Sequence, residues 1–329
     1  MIKHCLIFFI LTFSGFTKAS QQNISEDSLT FPHVVWLKQF QNEINNLKFS
    51  EKLSNIILGK KNDISLSKPI SIIALNIDSL IVLDQGNSQI FEINNKIVPL
   101  KSVIKKNVLK FESLVGICSN QENDYYFTDS KLNKVFEYNS KNKSFRIIND
   151  SLILNQPTGI AYSNVDNNIW VVETASHRLT ILKEDGTLIK HIGKRGNGDS
   201  EFNFPTNLCI ADDGNIYVVD AMNFRIQILD KNGEFLSTFG SVGDASGYFA
   251  RPKGIALDTF GNIYISDALF HVVQVFDTKG NFLYRFGEQG HKNAQFWMPS
   301  GLYIDKNNYI YVADSYNSRI QIFKLVNGG

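Results

Sequence analysis

The sequence predicts an all-β fold: a six-bladed β-propeller of four-stranded antiparallel blades, its ring closed by a strand from the N-terminal segment. Three observations lead there. The stretch Pro205–Gly240 (PTNLCIADDGNIYVVDAMNFRIQILDKNGEFLSTFG) holds short alternating runs separated by turn signals such as Asp213-Gly214-Asn215 and Lys231-Asn232-Gly233. It recurs as Pro252–Gly287 and as Pro299–Phe323, with Pro205, Pro252 and Pro299 spaced 47 apart and Asp220, Asp267 and Asp314 likewise. A period in the forties with four strand-like runs per unit is a propeller pattern. Finally, an acid follows the second run at positions 84, 129, 173, 220, 267 and 314, which counts six units.

From the N-terminus, Met1-Ile-Lys-His precedes the apolar run Cys5–Phe16, and Thr17-Lys-Ala19 offers a small-x-small cleavage site. Residues 1–19 read as an export signal, too short to span a bilayer. No later stretch is long and apolar enough to span one, so the exported chain is expected to be periplasmic or extracellular and monomeric. Losing Lys3 and Lys18 leaves 31 basic against 32 acidic side chains, a net charge of −1. That balance argues against nucleic acid as a partner. Cys118 and Cys209 occupy the same place in blades 2 and 4, beyond disulfide reach, and read as small buried residues.

Residues 20–60 form an N-terminal segment. Ser20–Ser28 is polar, Val34–Phe40 alternates as a strand, and Leu53–Leu58 suits a short helix or a strand. The propeller itself spans 61–326. Pro69–Ile93 and Glu112–Tyr138 are degraded units, and Pro157–Leu182 is a clear third. Within a unit, run a (Gly254-Ile-Ala-Leu257) is nearly all apolar and is expected to be innermost and buried on both faces. Runs b (Asn262–Ser266) and c (Val272–Phe276) alternate, so one face should pack on the next blade. Run d (Phe282–Phe286) is the outer edge. Asp/Asn/Gly turns make the a–b and c–d links of one rim, while the longer d–a and b–c links share the other. The sixth unit stops after run c, so Val34–Phe40 is expected to supply its missing outer strand.

Each acid has a basic residue five places later in four units: Asp129/Lys134, Glu173/Arg178, Asp220/Arg225 and Asp314/Arg319. A feature repeated in every unit is more simply part of the unit, so these are expected to be structural ion pairs rather than a cation-gathering ring. Asp84 and Asp267 face Gln89 and Val272, and His271 is the expected substitute partner for Asp267.

These units resemble NHL repeats, through Pro-x-Gly-Ile-Ala, Gly-Asn-Ile-Tyr-Val-x-Asp, Asn-x-Arg-Ile-Gln-Ile-Phe and the Phe-Gly…Gly…Phe…Pro links at 239–252 and 286–299. Phe-Pro-His-Val-Val-Trp-Leu, Glu201-Phe-Asn-Phe-Pro205 and Tyr248-Phe-Ala-Arg-Pro-Lys-Gly254 are similar to a family of exported bacterial six-bladed NHL proteins. That resemblance implies architecture more than activity, though some members resemble accessory proteins of c-type cytochrome systems.

Motifs for chemistry are missing from the sequence. There is no Cys-x-x-Cys-His, Gly-x-Ser-x-Gly or His-Glu-x-x-His, and Gly193–Gly198 lacks the Lys-Ser/Thr of a phosphate loop. Six-bladed lactonases hold calcium with inner-strand acids and an Asn; here Asn207 stands alone. Amidating lyases use a His-bound metal; His177 and His271 occupy equivalent loops, without a third. No cofactor, metal site or catalytic residue is therefore expected. The chain is read as a non-enzymatic binding or scaffold propeller for a protein or peptide of the cell envelope, with a metal-dependent lactonase or lyase as the alternative. Phe202/Phe204, Phe249 and Phe296 recur in register and are expected to plug the gaps between blades. The binding surface is placed on the d–a/b–c rim at Met222, Phe224, Tyr248, Arg251, Phe270, His271, Trp297 and Tyr316.

Overall fold

The computed structural model describes residues 33–41, 65–94, 96–100, 103–104, 107–108 and 110–326. The export signal at 1–19, the polar stretch Ser20–Ser28 and the Leu53–Leu58 segment lie outside the described residues.

Six four-stranded antiparallel sheets form the ring, five of them in the order a-b-c-d. The sixth consists of Pro299–Ile304, Tyr309–Asp314 and Arg319–Val326, and takes its outer strand from His33–Gln41. That closing strand runs antiparallel to strand c from His33↔Val326 to Gln41↔Arg319, with a bulge between Trp36 and Lys38. Trp36 anchors it: its indole Nε1 donates to Gln321 Oε1 at 3.0 Å, and the ring packs with Val34 against the core between blades 5 and 6.

The apolar core is divided into six clusters, one per seam between neighbouring blades. Both faces of a blade are therefore covered, which corrects the expected order of burial. Strands b and c are the most enclosed: Ile216–Asp220 and Ile263–Asp267 are buried at every position. Strand a, expected to be buried on both faces, lines the axial channel and is unevenly enclosed: Pro157–Ser163 is buried at all but one position, Asn207–Ile210 only in part. Phe202, Phe249 and Phe296 are fully buried at the seams of blades 3–4, 4–5 and 5–6. Phe204 does not join them; it is exposed, edge-on to the His177 ring at 4.4 Å.

Cys118 and Cys209 are free thiols that face the channel. Burial pushes both thiols up, so neither is a ready nucleophile. Among the described residues no helix is long and apolar enough to cross a membrane.

Candidate functional site

The six acids close the b strands, and all six are fully buried. Each accepts the backbone N–H of a residue just before strand a of its own blade: Ser67, Glu112, Asn155, Asn203, Ala250 and Trp297. The acid is thus first a clamp on the end of the d–a loop, supplying an acceptor to backbone that would otherwise be orphaned. Its remaining lone pairs divide the blades into two kinds.

In blades 3, 4 and 6 an Arg completes the carboxylate. Arg178 Nε donates to Glu173 Oε1 at 2.8 Å, Arg225 Nε to Asp220 Oδ2 at 2.8 Å and Arg319 Nε to Asp314 Oδ2 at 2.7 Å. Each of these b–c links tightens into one 3₁₀ turn, Thr174–Ser176, Ala221–Asn223 and Ser315–Asn317. Burial raises the Asp314 carboxyl, and the donors Trp297, Asn317 and Arg319 oppose that rise. In blades 1, 2 and 5, where no Arg follows, the acid turns to backbone instead. Asp129 accepts N–H groups of Glu112, Ser113, Lys131 and Leu132; Asp267 accepts those of Ala250, Arg251, Leu269 and Phe270.

Two expected pairs fail for this reason. Asp129 is already saturated, and Lys134 reaches outward to Asp150 at 3.7 Å. His271 is not the hydrogen-bonding partner of Asp267 either. Its Nδ1 accepts the N–H of Met298, at 3.1 Å, at the entry to blade 6. His177 does the same for Phe204 at 3.0 Å, and Asn133 Oδ1 for Gln156 at 2.9 Å. Gln156, Phe204 and Met298 all have positive φ, which turns their N–H groups back toward the preceding blade. The two histidines are latches between blades. An Nδ1 that accepts an N–H carries no proton, and burial lowers the His271 pKa in the same sense.

The proposed rim residues divide by exposure. Met222 (54 % exposed), Tyr316 (58 %), Tyr248 and Trp297 are exposed, as is Arg251. Phe224, Phe270 and His271 are half-buried, and Phe224 packs on the core between blades 4 and 5. Trp297 and Tyr316 are brought together by the bond from Tyr316 N–H to Trp297 O at 3.1 Å. Lys68 Nζ lies 5.6 Å from the Tyr316 ring centroid, and His291 packs 4.8 Å from Trp297.

Sequence reasoning weighed the channel only as a metal site around Asn207 and missed Lys253 and Thr206. The channel's wide part, about 750 Å³, opens among the a–b turns near Tyr162, Asp212, Phe260 and Lys306. Its narrow part, about 100 Å³, lies at the d–a end, where each strand a begins. There the residue after each a-strand entry forms a ring of six: Ile70, Val115, Thr158, Thr206, Lys253 and Ser300. The next ring inward is Ser71, Gly116, Gly159, Asn207, Gly254 and Gly301. Glycine suits that ring because neighbouring strands touch: a Cβ on Gly254 would stand 2.2 Å from Ser300 O. Asn207 and Ser71 break the ring on opposite sides and line both parts of the channel.

Two of the outer ring's polar groups are tied into the fold. Thr158 pairs with Thr174, which donates to Pro205 O; Ser300 pairs with Ser315, which donates to Pro69 O. Blades 4 and 5 carry Ala221 and Ala268 where those partners stand. Thr206 Oγ1 is accordingly buried without a partner, and Lys253 makes no hydrogen bond or ion pair with any described residue. Burial lowers the Lys253 pKa to about 8, with Arg251 and Lys68 adding repulsion. The sequence signal was available: a lysine follows Pro252 where the equivalent positions carry small or apolar residues. Among the described residues, no three His, Cys, Asp or Glu side chains converge as a metal site.

Comparison with known proteins agrees with this architecture. Residues 296–323 match the NHL repeat, and residues 148–238 match a family described as a 6-bladed beta-propeller. No curated protein matches the chain in sequence. Among solved structures, a protein of unknown function from Bacteroides thetaiotaomicron VPI-5482 superposes with a TM-score of 0.65 at 14% identity, covering 80% of this chain and 70% of that one. An auxiliary nutrient binding protein from Bacteroides ovatus ATCC 8483 gives 0.62 at 13%, covering 90% and 77%. Virginiamycin B lyase from Staphylococcus aureus gives 0.58 at 14%, covering 80% and 99%. At these identities the likeness is one of fold.

Proposed function

We propose that this propeller is a non-enzymatic binding protein that recognises a protein or peptide partner on its d–a/b–c rim. The reading rests on one observation: on blades 4–6 that rim exposes Met222, Tyr248, Trp297 and Tyr316, none of which the core requires. Apolar and aromatic anchors beside Arg251 and Lys68 suit a peptide surface. The export signal read at residues 1–19 would place that partner in the cell envelope, where a c-type cytochrome system to which this protein is accessory is one setting. The binding-protein neighbour in the fold comparison is consistent with the same role.

A metal-dependent lactonase or lyase is the competing reading, since a lyase shares the fold. It would need free oxygen ligands at the channel mouth. Asp258 there is held by its own turn, accepting from Phe260 N–H at 2.9 Å and Asn262 N–H at 2.8 Å, and Asp213 accepts from Asn215 N–H at 2.9 Å, which leaves Asp212 as a single carboxylate, short of the set a hard cation needs. Calcium or zinc retained in stoichiometric amount through dialysis would favour the enzyme.

The rim is tested by pull-down from envelope extract with Met222→Asp, Tyr248→Asp and Tyr316→Asp combined. The control carries Val165→Asp and Phe260→Asp on the opposite rim. The rim variant should lose its partners while keeping the wild-type melting temperature. Retention of every partner by the folded rim variant, with loss in the control, would place the surface on the other face.

A further inference from the structure

We propose that the narrow, d–a end of the channel is a carboxylate-binding site, in which Lys253, Thr206 and Asn207 hold the ligand's carboxylate. Three of the residues that line it carry a donor that no described residue accepts. Lys253 lines a cavity whose lining contains no acidic side chain. Thr206, its neighbour in the ring, has a buried hydroxyl with nothing to bond. Asn207 uses its Oδ1 on the Leu208 N–H at 2.9 Å, which leaves the Nδ2 side of the amide for another acceptor. Opposite Thr206 and Lys253 the ring is apolar, with Ile70 and Val115.

A half-buried ammonium without a counter-charge is costly unless something supplies one. The buried acids of blades 4 and 5 are both committed. Asp220 is paired with Arg225, and Asp267 accepts four backbone N–H groups. Arg251 and Lys68 add positive potential toward Lys253 from the same rim. An anion is therefore the complement, and two hydrogen-bond donors beside one ammonium suit the two oxygens of a carboxylate.

Size narrows the ligand further. About 100 Å³ accommodates a carboxylate and one or two carbons, the room of roughly three waters. Only the tip of a larger ligand enters. The cavity lies at the rim read above as the partner surface. The site rests on that reading solely for the source of the carboxylate, a peptide C-terminus being the end that fits; the chemistry stands by itself.

The experiment titrates acetate into the full protein and follows the amide signals of Thr206, Asn207 (side chain included) and Gly254 by NMR. Saturable shifts are expected, absent with acetamide. Affinity should fall roughly tenfold or more in Lys253→Met and recover in part in Lys253→Arg. Thr206→Val, a near-isosteric change, should weaken binding less. A short peptide and its C-terminal amide distinguish the source. Tighter binding of the free acid than of acetate assigns a chain terminus, and equal binding assigns small free carboxylates; either supports the site. Linear shifts, the same shifts with chloride, or unchanged affinity in folded Lys253→Met would overturn it. The Met222/Tyr248/Tyr316 variant should retain acetate binding, so failure of the rim and failure of this site are read separately.

Discussion

Arg319 donates five hydrogen bonds: to Asp314, to Gln39 of the closing strand, and to the carbonyls of His291, Lys292 and Gln295. Arg225 makes three, to Asp220 and the carbonyls of Gly198 and Glu201. Arg178 makes one, and is the most exposed of the three. Truncation to Ala should follow that order in urea unfolding. Losses of about 3–5 kcal/mol are expected for Arg319, about 1–3 for Arg225 and at most about 1 for Arg178. Equal losses would mean that the carboxylate clamps, rather than the guanidiniums, hold the corners. The three Arg pairs were legible because both partners are side chains at fixed spacing. The clamp was not, because its other half is a backbone N–H some 17 residues earlier, and backbone carries no identity in a sequence. The same blindness gave Lys134 and His271 the wrong partners: each acid looked free on paper and was already saturated.

At the scale of strands, the closing strand shows what alternation can and cannot convey. Its pairing with the sixth blade followed from a missing run d and an apolar, alternating segment upstream. The bulge at Trp36/Lys38 did not, since an extra residue in one strand leaves no mark on its alternation that a sequence can show. Burial of strands b and c on both faces was also hidden, because their polar positions are filled by Thr128, Gln227 and Gln274, which bond inside the seams. Removing residues 33–41 should lower the melting temperature by roughly 5–15 °C, several kcal/mol at about 2–4 °C each. The exposed edge of Arg319–Val326 should then cause concentration-dependent association. An unchanged transition in calorimetry, with a monomeric profile, would show that the ring does not depend on this strand.

For the whole molecule, the unpaired lysine makes stability depend on pH. The Lys253 pKa is about 8 in the folded protein against 10.5 for the free side chain. Between those values the unfolded chain binds more protons, so stability gained by deprotonation rises with pH across that window. Below pH 8 the folded protein carries the full penalty. Lys253→Met should therefore be more stable than the wild type at pH 7, on the order of 1–3 kcal/mol. The difference should shrink as pH approaches 10.5, and saturating acetate should narrow it at pH 7. Chemical denaturation of both proteins at several pH values checks this. A Met variant that is less stable at pH 7, or a difference that does not change with pH, would show the ammonium to be well solvated. A residue that weakens the fold while completing a site is an ordinary trade of stability against function.

Closure of the sixth blade by His33–Gln41 also sets a timetable. The strand emerges early in synthesis, yet its partner Arg319–Val326 follows some 280 residues later. At about 5–20 residues per second that is an interval on the order of tens of seconds. Throughout it, Val34, Trp36 and Phe40 have nowhere native to go. The ring cannot shut blade by blade; its last act waits for the ribosome to deliver the far side of the seam. Until then the chain carries an unpaired, adhesive β-edge.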